Sequence, residues 1–592
     1  MNTTHNTPHE TADLIYRNAT IYTVNAASPW AEAIAIRGSK ILAVGDGESI
    51  LAFQGETTKV INLDGAFVMP GIHDMHCHPD WALAAEFSYY QHWPQFPQSV
   101  TEMEDRLLAL DKQLPLDDWI YAGPINPFAF QQEGIGMDCH WLDKLLPDRK
   151  IALIDGGHHT LLTNSTTLAL AGITEDSLDP SNGCIIRFED GKPNGLFQEG
   201  AQTLIKAVMP EIPVKDFMKM FAKGAKLLHA QGITSAKFLH LNTPRLTALR
   251  ELDRQQNLNL KIEASISWKD DVVCVPDRWE LMAGKRFEFM SDHINANSVK
   301  FYLDGIPPNR TTFERSQFNL GGSLPRIKGN KFEVHDHRDH DHATMGEHTS
   351  CCLSGGFGVV NFTFAELCAM VEDMDRRGIR VVAHAIGDQA AHWYVSAVER
   401  ARKLNGNQGP RHQIAHSNSI LNKDIKRARD ANMIIEFSPQ MWWPSQITAA
   451  LWRLYDKEKA DRYWPFREAE DENAFYCFGS DWPVHGLQWW NAIEAMVTRR
   501  NPNKDPEFDY PMGENMGLSI EEAIRALTIR GAYAMNNEDR TGSLEAGKDA
   551  DFIVLNHNLL EINEDDIHTT RVLRTVFEGA EVYNQSDNQN TL

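Results

Sequence analysis

The stretch that decides the fold reads Val68-Met69-Pro70-Gly71-Ile72-His73-Asp74-Met75-His76-Cys77-His78-Pro79. It places two histidines, His76 and His78, one residue apart at the end of an apolar run. Alternate residues of a strand point to the same side, so both imidazoles can reach one divalent metal ion. An isolated His-x-His pair is also found as two polar residues at a strand end, because short motifs match by chance. The motifs in the rest of the chain distinguish a metal site from a pair of polar residues at a strand end.

Three later segments repeat the pattern of a metal-capable residue directly after a short apolar run. They contain His384 within 382–388, His416 within 411–416 and Asp481 within 478–484. In a parallel α/β barrel the carboxyl ends of all strands meet at one face. The sequence therefore predicts that residues far apart along the chain surround one site.

The order of apolar runs and helical patterns predicts the domain organisation. Over roughly 400 residues, buried-looking strands alternate with amphipathic segments, which is typical of repeated βα units. We predict an α/β protein with a (β/α)8 TIM barrel at residues 67–538, carrying insertions at about 89–148 and 310–356. Both ends of the chain are rich in short β-like runs. We predict that residues 1–66 and 539–592 together form one small β-sandwich.

The amino-acid composition of the chain excludes several classes of binding partner. The 592 residues include 57 Lys and Arg against 81 Asp and Glu, a net charge of −24. Such a surface repels nucleic acid and anionic lipid. No run approaches the about 20 apolar residues of a membrane helix, and the first residues do not resemble a signal peptide. We expect a cytoplasmic protein with a small-molecule substrate; the oligomeric state stays open, with a homodimer as one prediction. The eight Cys contain no CxxC pair and are interpreted as mostly buried thiols.

The ordered set of motifs resembles the amidohydrolase superfamily, and within it the amidohydrolase-3 or YtcJ-like metal-dependent hydrolases. The similarity covers nearly the whole chain and rests on these segments: 18–24 (NATIYTV), 70–79 (PGIHDMHCHP), 157–159 (GHH) with Asn164, 195–199 (GLFQE), 298–305 (SVKFYLDG), 384–388 (HAIGD) and 542–555 (GSLEAGKDADFIVL). One departure is the His/Asp-rich run at 334–342, inside a segment longer than the family pattern predicts. This run lies outside the motifs on which the resemblance rests.

The resemblance implies a set of metal ligands: His76, His78, Lys300, His384, His416 and Asp481. It implies one or two divalent ions, with Zn²⁺ as the expected metal and Lys300 as a carbamylated bridge. Neutral imidazoles and carboxylates suit zinc, which lowers the pKa of a coordinated water to about 7. Asp481 is then the catalytic residue that accepts the proton of the attacking water and returns it to the leaving nitrogen.

Several of these residues also have a plainer interpretation. Lys300 can be a buried lysine neutralised by Asp304. His159 is placed near the substrate by the resemblance, where it would polarise a carbonyl as a second catalytic residue; otherwise it caps a helix start. Glu199 is assigned to the substrate-binding site, either as a hydrogen-bond acceptor for a ligand histidine or as a direct ligand; the alternative is a surface carboxylate on a helix.

The aromatic and His-rich segments also have a functional and a structural interpretation. Trp442 and Trp482 lie close to predicted strand ends, where they form an aromatic wall for the substrate or pack in the core. For the Trp489-Trp490 pair we favour core packing. The run at 334–342 is interpreted as a solvated loop, because a tract of this composition assigns nothing alone.

The predicted function is hydrolysis of a carbon–nitrogen bond of amide type, outside peptides, by water activated at a metal ion. Two alternatives stay open. One is a deaminase or isomerase on the same metal site, since a fold does not determine the reaction. The other is a catalytically inactive relative that acts as a scaffold, which should lack metal ligands; here the expected positions are filled.

Overall fold

The computed structural model describes residues 10–588, except 85, 88, 94–96, 157–158, 181–182, 269–274, 308–310, 317–325, 329–330, 334–357, 359, 439, 446–447, 449–450 and 514. Three sequence features lie outside these residues: His158 of the GHH motif, the His/Asp-rich run at 334–342 and most of the second insertion.

The described residues form the following strands: β1 Ala12–Arg17, β2 Thr20–Tyr22, β3 Trp30–Ala31, β4 Ala33–Arg37, β5 Lys40–Gly45, β6 Gln54–Asn62, β7 Phe67–Pro70, β8 Ile72–Cys77, β9 Gln91–His92, β10 Trp119–Ile125, β11 Lys150–Asp155, β12 Thr160–Thr163, β13 Gly183–Arg187, β14 Pro193–Glu199, β15 Ile233–Leu241, β16 Lys261–Ser267, β17 Ile294–Tyr302, β18 Arg326–Lys328, β19 Lys331–Glu333, β20 Arg380–Ala385, β21 Gln413–His416, β22 Ile434–Phe437, β23 Tyr476–Phe478, β24 Phe552–Leu555, β25 Val572–Phe577 and β26 Ala580–Asn584.

The α-helices are these: α1 Gly47–Leu51, α2 Pro79–Ala84, α3 Val100–Gln113, α4 Pro127–Glu133, α5 Cys139–Leu145, α6 Ser165–Leu170, α7 Gln202–Lys206, α8 Val214–Ala230, α9 Thr243–Arg254, α10 Arg278–Ala283, α11 Phe364–Arg376, α12 Asp388–Asn405, α13 Asn422–Asp430, α14 Leu451–Leu454, α15 Lys457–Asp461, α16 Phe466–Asp471, α17 Trp489–Thr498, α18 Ile520–Leu527, α19 Ile529–Ala534 and α20 Gln585–Asn588.

Eight parallel strands of the described chain form the barrel, in the order β8-β15-β16-β17-β20-β21-β22-β23. A parallel bridge between Cys77 and Trp482 brings the first and last strands together. Strands such as β15 and β20 are buried along their whole length, as expected for parallel strands covered on both faces. Outside the strands, helix side chains pack against the sheet, as Phe221 of α8 does on Phe238 of β15. The predicted TIM-barrel fold is confirmed.

The helical segment that ends the barrel consists of two helices in the structure, α18 and α19. Ser519 and Glu522 form a capping box at the start of α18, and the chain breaks at Thr528 before α19 begins. The break turns α19 onto the first barrel strand, where Gly531 lies against His73: a Cβ on this glycine would be 2.4 Å from the His73 Cβ. Sequence periodicity continues across such a break, so it does not locate it.

The two ends of the chain share one sheet, with the strand order β26-β25-β24-β7-β2-β3. Val554 of the C-terminal β24 pairs with Val68 of β7 in antiparallel register. A second sheet, β5-β4-β1-β6, comes from the N-terminal segment alone. Ile34, Ile36 and Phe552 belong to one apolar cluster that joins the sheets. Strand β7 lies in this assembly, although the predicted N-terminal part ends at residue 66.

The first insertion is larger than predicted. Its sheet has the order β13-β14-β12-β11-β10-β9 and runs from Gln91 to Glu199, whereas the sequence predicted an end near residue 148. Strands β11 and β12 are as fully buried as barrel strands, so hydrophobicity alone does not separate them from the barrel. This sheet carries His159 and Glu199. Among the described residues, no helix is long and apolar enough to cross a membrane.

Candidate metal centre

The barrel gathers the predicted ligands at the carboxyl ends of its strands. His76 lies near the end of β8 and His78 directly after that strand; His384 and His416 lie on β20 and β21. Asp481 follows β23, and its carboxylate lies 3.5 Å from His76 Nε2 and 3.3 Å from His78 Nε2. The rings of His384 and His416 are 4.5 Å apart. Residues separated by hundreds of positions therefore surround one small volume.

The tightest part of this group is formed by His76, His416 and Asp481. All three are buried, and their ligand atoms lie within 4.8 Å of one another. One imidazole nitrogen from each histidine and one carboxylate oxygen form a donor set suited to Zn²⁺. His78 and His384 flank this set and can complete the coordination.

Hydrogen-bond partners lie on the Nδ1 side of His76, His384 and His416. His76 Nδ1 lies 2.8 Å from Glu436 Oε2, and His384 Nδ1 lies 3.1 Å from Asp304 Oδ1. His416 Nδ1 lies 2.9 Å from Ser438 Oγ. Metal-binding histidines almost always have such partners, which orient the ring and select the tautomer. For His76 this leaves Nε2, 3.5 Å from Asp481, for a metal ion, whereas the His416 nitrogen near Asp481 is Nδ1, 3.9 Å from Oδ2.

The electrostatics favour the metal-binding form of the imidazoles. Burial holds the pKa of His76, His384 and His416 well below the ordinary value of 6.5, and the positive charge of Lys300 lowers each pKa further. These rings are neutral near pH 7, and the neutral ring is the form that ligates. Burial raises the pKa of Asp481 from 3.8 to about 7, against the opposing effect of Lys300.

Lys300 lies on β17 and its side chain is fully buried. Its Nζ lies 5.5 Å from the centroid of the Tyr302 ring, and that ring lies 4.8 Å from the His384 ring, so Lys300 is close to the metal centre. The carbamylated form stays a prediction.

The first insertion brings His159 and Glu199 to the same site. His159 Nδ1 lies 2.8 Å from Glu199 Oε2, and the His159 ring is 5.9 Å from that of His384. Burial lowers the pKa of His159, but the Glu199 carboxylate outweighs burial and raises it above the ordinary value. His159 precedes strand β12, so it does not cap a helix, and Glu199 is a buried residue at the end of a strand rather than a surface carboxylate.

The predicted tryptophans occupy different environments. Trp442 is fully buried and packs edge-on against Phe466, with Phe478 at 5.0 Å. That is the position of a core side chain, one of the two interpretations of its sequence context. Trp482 is half-buried beside Asp481, and its carbonyl accepts a hydrogen bond from the His78 amide at 2.8 Å. Trp489 and Trp490 are buried in α17, as favoured.

Sequence reasoning missed three residues of this site: His240, Tyr302 and Glu436. His240 Nε2 lies 3.0 Å from the Tyr302 hydroxyl, and the His240 ring stacks on His78 at 5.0 Å. The Tyr302 ring lies 4.8 Å from that of His384. His240 and Glu436 lie in apolar runs near the ends of barrel strands, which is the signal that identified the predicted metal ligands. The same signal could have found them.

Together, the fold and site define a parallel α/β barrel with a candidate metal centre at the carboxyl ends of its strands. The sequence profile described as the Amidohydrolase family matches residues 59–583, and the chain belongs to this family. Membership supports a hydrolytic role.

Similar proteins span the same length. The chain is 24% identical to the putative amidohydrolase YtcJ of Bacillus subtilis, covering 97% of this chain and 99% of that protein. It is 22% identical to the N-substituted formamide deformylase of Arthrobacter pascens, with the same coverage. Among solved structures, a metal-dependent hydrolase from Pyrococcus horikoshii has a TM-score of 0.68 at 19% identity, covering 93% of this chain and 99% of that one. This similarity shows the shared fold.

Proposed function

We propose that this protein hydrolyses an amide-type carbon–nitrogen bond of a small, non-peptide molecule, using one or two divalent ions, with Zn²⁺ as the first expectation. The observation that carries the proposal is the set of buried imidazoles around Asp481, with Nδ1 of His76, His384 and His416 each engaged by a polar partner. Histidines that bind a metal ion almost always have a polar partner of this kind, which orients the ring.

The residues of the chain fit such an ion. His76, His416 and Asp481 would hold it, and His78 and His384 are near enough to share in the coordination. A bound divalent ion supplies a water of lowered pKa and polarises a carbonyl oxygen. Buried Lys300 is the candidate bridge to a second ion, provided that it reacts with carbon dioxide to form a carbamate.

The proton steps are assigned to two side chains. Asp481 is suited to take the proton of the attacking water and to return it to the leaving nitrogen, because its buried carboxylate lies against the imidazoles of His76 and His78. His159 holds its proton more firmly because Glu199 raises its pKa, so it can donate a hydrogen bond to the carbonyl oxygen as negative charge develops there. Glu199 orients the His159 ring through Nδ1.

A similar protein indicates the substrate class to test first. The Arthrobacter pascens protein is named for the deformylation of N-substituted formamides, and this chain aligns with nearly its full length. N-substituted formamides are therefore the first substrates to test. The net charge of −24 supports a partner that is neither nucleic acid nor an anionic membrane, and we propose a cytoplasmic enzyme.

Elemental analysis and a hydrolysis assay test the proposal. The purified protein should contain a divalent metal and release formate and amine from N-benzylformamide, and a chelator should abolish turnover. The double variant His76→Ala/His78→Ala should lose the metal. The matched control is His557→Ala, which removes an exposed histidine of the C-terminal segment, outside both metal-capable groups, and should keep both metal and turnover.

Three outcomes contradict the proposal in different ways. Full metal content in His76→Ala/His78→Ala places the metal elsewhere. Metal binding with ammonia release or isomerisation, and no amide cleavage, indicates a deaminase or isomerase. If the purified protein binds no metal and hydrolyses no amide, it is a scaffold protein.

A further inference from the structure

The interior of the barrel contains a charged layer beneath the metal centre. We define this polar layer as Lys237, Glu263, Arg380, Gln413 and Glu436, which come from β15, β16, β20, β21 and β22 respectively. Each residue is at most 3% exposed. Barrel interiors are usually filled by branched apolar side chains, and buried charges are unfavourable unless they are paired. A layer of this kind therefore needs an explanation.

The polar layer is a continuous chain of contacts that ends on His76. The Arg380 guanidinium donates to the Glu263 carboxylate, and Lys237 Nζ lies 3.2 Å from Glu263 Oε1. Lys237 also donates to Gln413 Oε1, and Gln413 Nε2 donates to Glu436 Oε2 at 3.3 Å. The same Glu436 oxygen accepts from His76 Nδ1.

The direction of these hydrogen bonds is determined by Lys237. An ammonium group can only donate, so the Gln413 carbonyl must face Lys237 and its amide nitrogen must face Glu436. Glu436 is then held in place and receives the His76 Nδ1 proton. His76 Nε2 then carries the free lone pair of the ring, and it lies 3.5 Å from Asp481 Oδ1. The two cations and two carboxylates of the layer also balance in charge without a metal ion.

A glycine makes room for this contact. A Cβ at Gly479 would lie 2.3 Å from the His76 Cβ and 3.0 Å from Glu436 Oε1. Real Cβ atoms do not approach other atoms so closely, so a larger residue at this position would displace the His76–Glu436 pair. The close approach of Gly479, which directly follows β23, is an observation independent of the hydrogen-bond chain.

We propose that the polar layer is a positioning device for the metal centre: Lys237 and Gln413 hold Glu436, and Glu436 fixes the tautomer and orientation of His76 so that its Nε2 binds metal. Glu436 and Lys237 are thus positioning residues. This inference rests on the proposed metal site, and it concerns residues that need not touch the metal or substrate.

Metal affinity provides a test that does not depend on a substrate. Metal-free protein is titrated with Zn²⁺ against a competing chelator, for the wild type, Glu436→Gln, Lys237→Met and the double variant. Loss of such supporting contacts typically lowers metal affinity by about 10–100-fold. We expect a loss in this range for Glu436→Gln and a loss in the same direction for Lys237→Met. The double variant should be no weaker than Glu436→Gln, because both changes act through one contact.

A second readout separates positioning from stability. The visible spectrum of the Co²⁺-loaded protein reports the ligand set and its geometry, and it should change in both variants. Lys261→Met is the matched control: Lys261 is equally buried and ion-paired on β16, with its Nζ 2.6 Å from Asp551 Oδ2. It should lower the melting temperature and leave Zn²⁺ affinity and the Co²⁺ spectrum unchanged.

The outcomes are distinct. Wild-type affinity and spectrum in Lys237→Met, with folding verified by circular dichroism, overturn the inference even if Glu436→Gln does not fold. An equal loss of affinity in Lys261→Met assigns the effect to general destabilisation and also overturns it. A wild-type chain that binds no metal refutes the proposed function, whereas a wild type that binds metal alongside unaffected variants refutes the positioning role alone.

Discussion

Asp481 is held in an unusual backbone conformation by the strands around it. Its φ is 54°, in the left-handed region, and its amide donates to the His76 carbonyl at 2.7 Å. The neighbouring Ser480 amide donates to Asp74 Oδ1 at 2.9 Å. A non-glycine residue in such a region costs about 1–3 kcal/mol, so it persists where the surrounding structure determines it. Asparagine tolerates the left-handed region well, which makes it a suitable replacement.

We therefore expect Asp481→Asn to fold and to retain some metal but to lose most turnover. The amide oxygen can still face a cation, but the side chain cannot accept and return a proton. General acid–base catalysis contributes about 10² to 10⁴-fold, so kcat should fall within that range or further on a formamide that the wild type hydrolyses. Turnover within a few-fold of wild type would remove Asp481 from the proton steps.

The pH dependence of metal binding should report Asp481 rather than the histidines. The pKa of Asp481 in the metal-free protein is about 7, while burial keeps the pKa of His76, His384 and His416 well below 6.5. Above about pH 7 the carboxylate is ionised and ready to bind. Below that pH the metal must displace one proton, so affinity should fall about tenfold per pH unit.

Zn²⁺ titrations across this pH range measure the slope, and Asp481→Asn is the control. The variant should show weaker binding with little pH dependence while the imidazoles remain neutral. A much steeper fall in the wild type, with several protons displaced, would show that the histidines titrate in this range and that burial does not keep them neutral.

At the scale of elements, helix α19 packs on strand β8 through a position where only glycine fits. The Gly531 Cα faces the His73 side chain, three residues before His76. An added Cβ would lie 2.4 Å from the His73 Cβ, so helix and strand would have to separate. Overpacking of this kind costs about 1–3 kcal/mol.

We predict that Gly531→Ala lowers the free energy of unfolding by about 1–3 kcal/mol, as measured by urea denaturation. Gly47→Ala is the control at the start of helix α1, where the added Cβ meets only Glu32 Oε2 at 3.5 Å, an ordinary contact. That substitution should be neutral or stabilise slightly, by up to about 1 kcal/mol. Equal stabilities for the two variants would show that α19 adjusts without cost.

At the scale of the whole molecule, the two ends of the chain depend on each other. Strand β24 lies between β7 and β25, and its side chains from Phe552 to Leu555 are at most 1% exposed. At the amino end of the barrel, Lys261 pairs with Asp549 and Asp551, which precede this strand. The C-terminal segment thus completes a sheet that begins near the N-terminus and contacts the barrel.

Truncation after Ala550 should therefore prevent cooperative folding, because it leaves β7 as an exposed edge and uncovers the apolar cluster of the sandwich. Circular dichroism and size-exclusion chromatography of the purified protein measure this. Truncation after Asn584 is the control, since it removes the short helix α20, whose Ser586 and Asp587 are exposed, and it should fold as the full chain does. A stable, monodisperse protein ending at Ala550 would contradict the interdependence.

The sequence alone predicted the barrel and much of the candidate site. An apolar run contains or directly precedes each of the four residues His76, His384, His416 and Asp481. In a parallel barrel the carboxyl ends of all strands lie at one face, so these residues are expected to meet there. These are local signals: strand periodicity and a polar residue at the end of a strand are readable within a few residues. The shared sandwich of the two ends was predicted in the same way, from β-rich runs that neither end completes by itself.

The tertiary structure decided which residues face each other. Glu436 contacts His76 across 360 positions, and His159 reaches the barrel from an inserted sheet whose strands resemble barrel strands in hydrophobicity. No local periodicity encodes these pairings. They follow from the order in which strands close around the barrel and from the packing of the insertion over it. The sequence therefore determined the residue types and the strand ends on which they lie. The closing of the strands into a barrel determined which residues contact each other, because hydrogen-bond geometry depends on distance in space and not on distance along the chain.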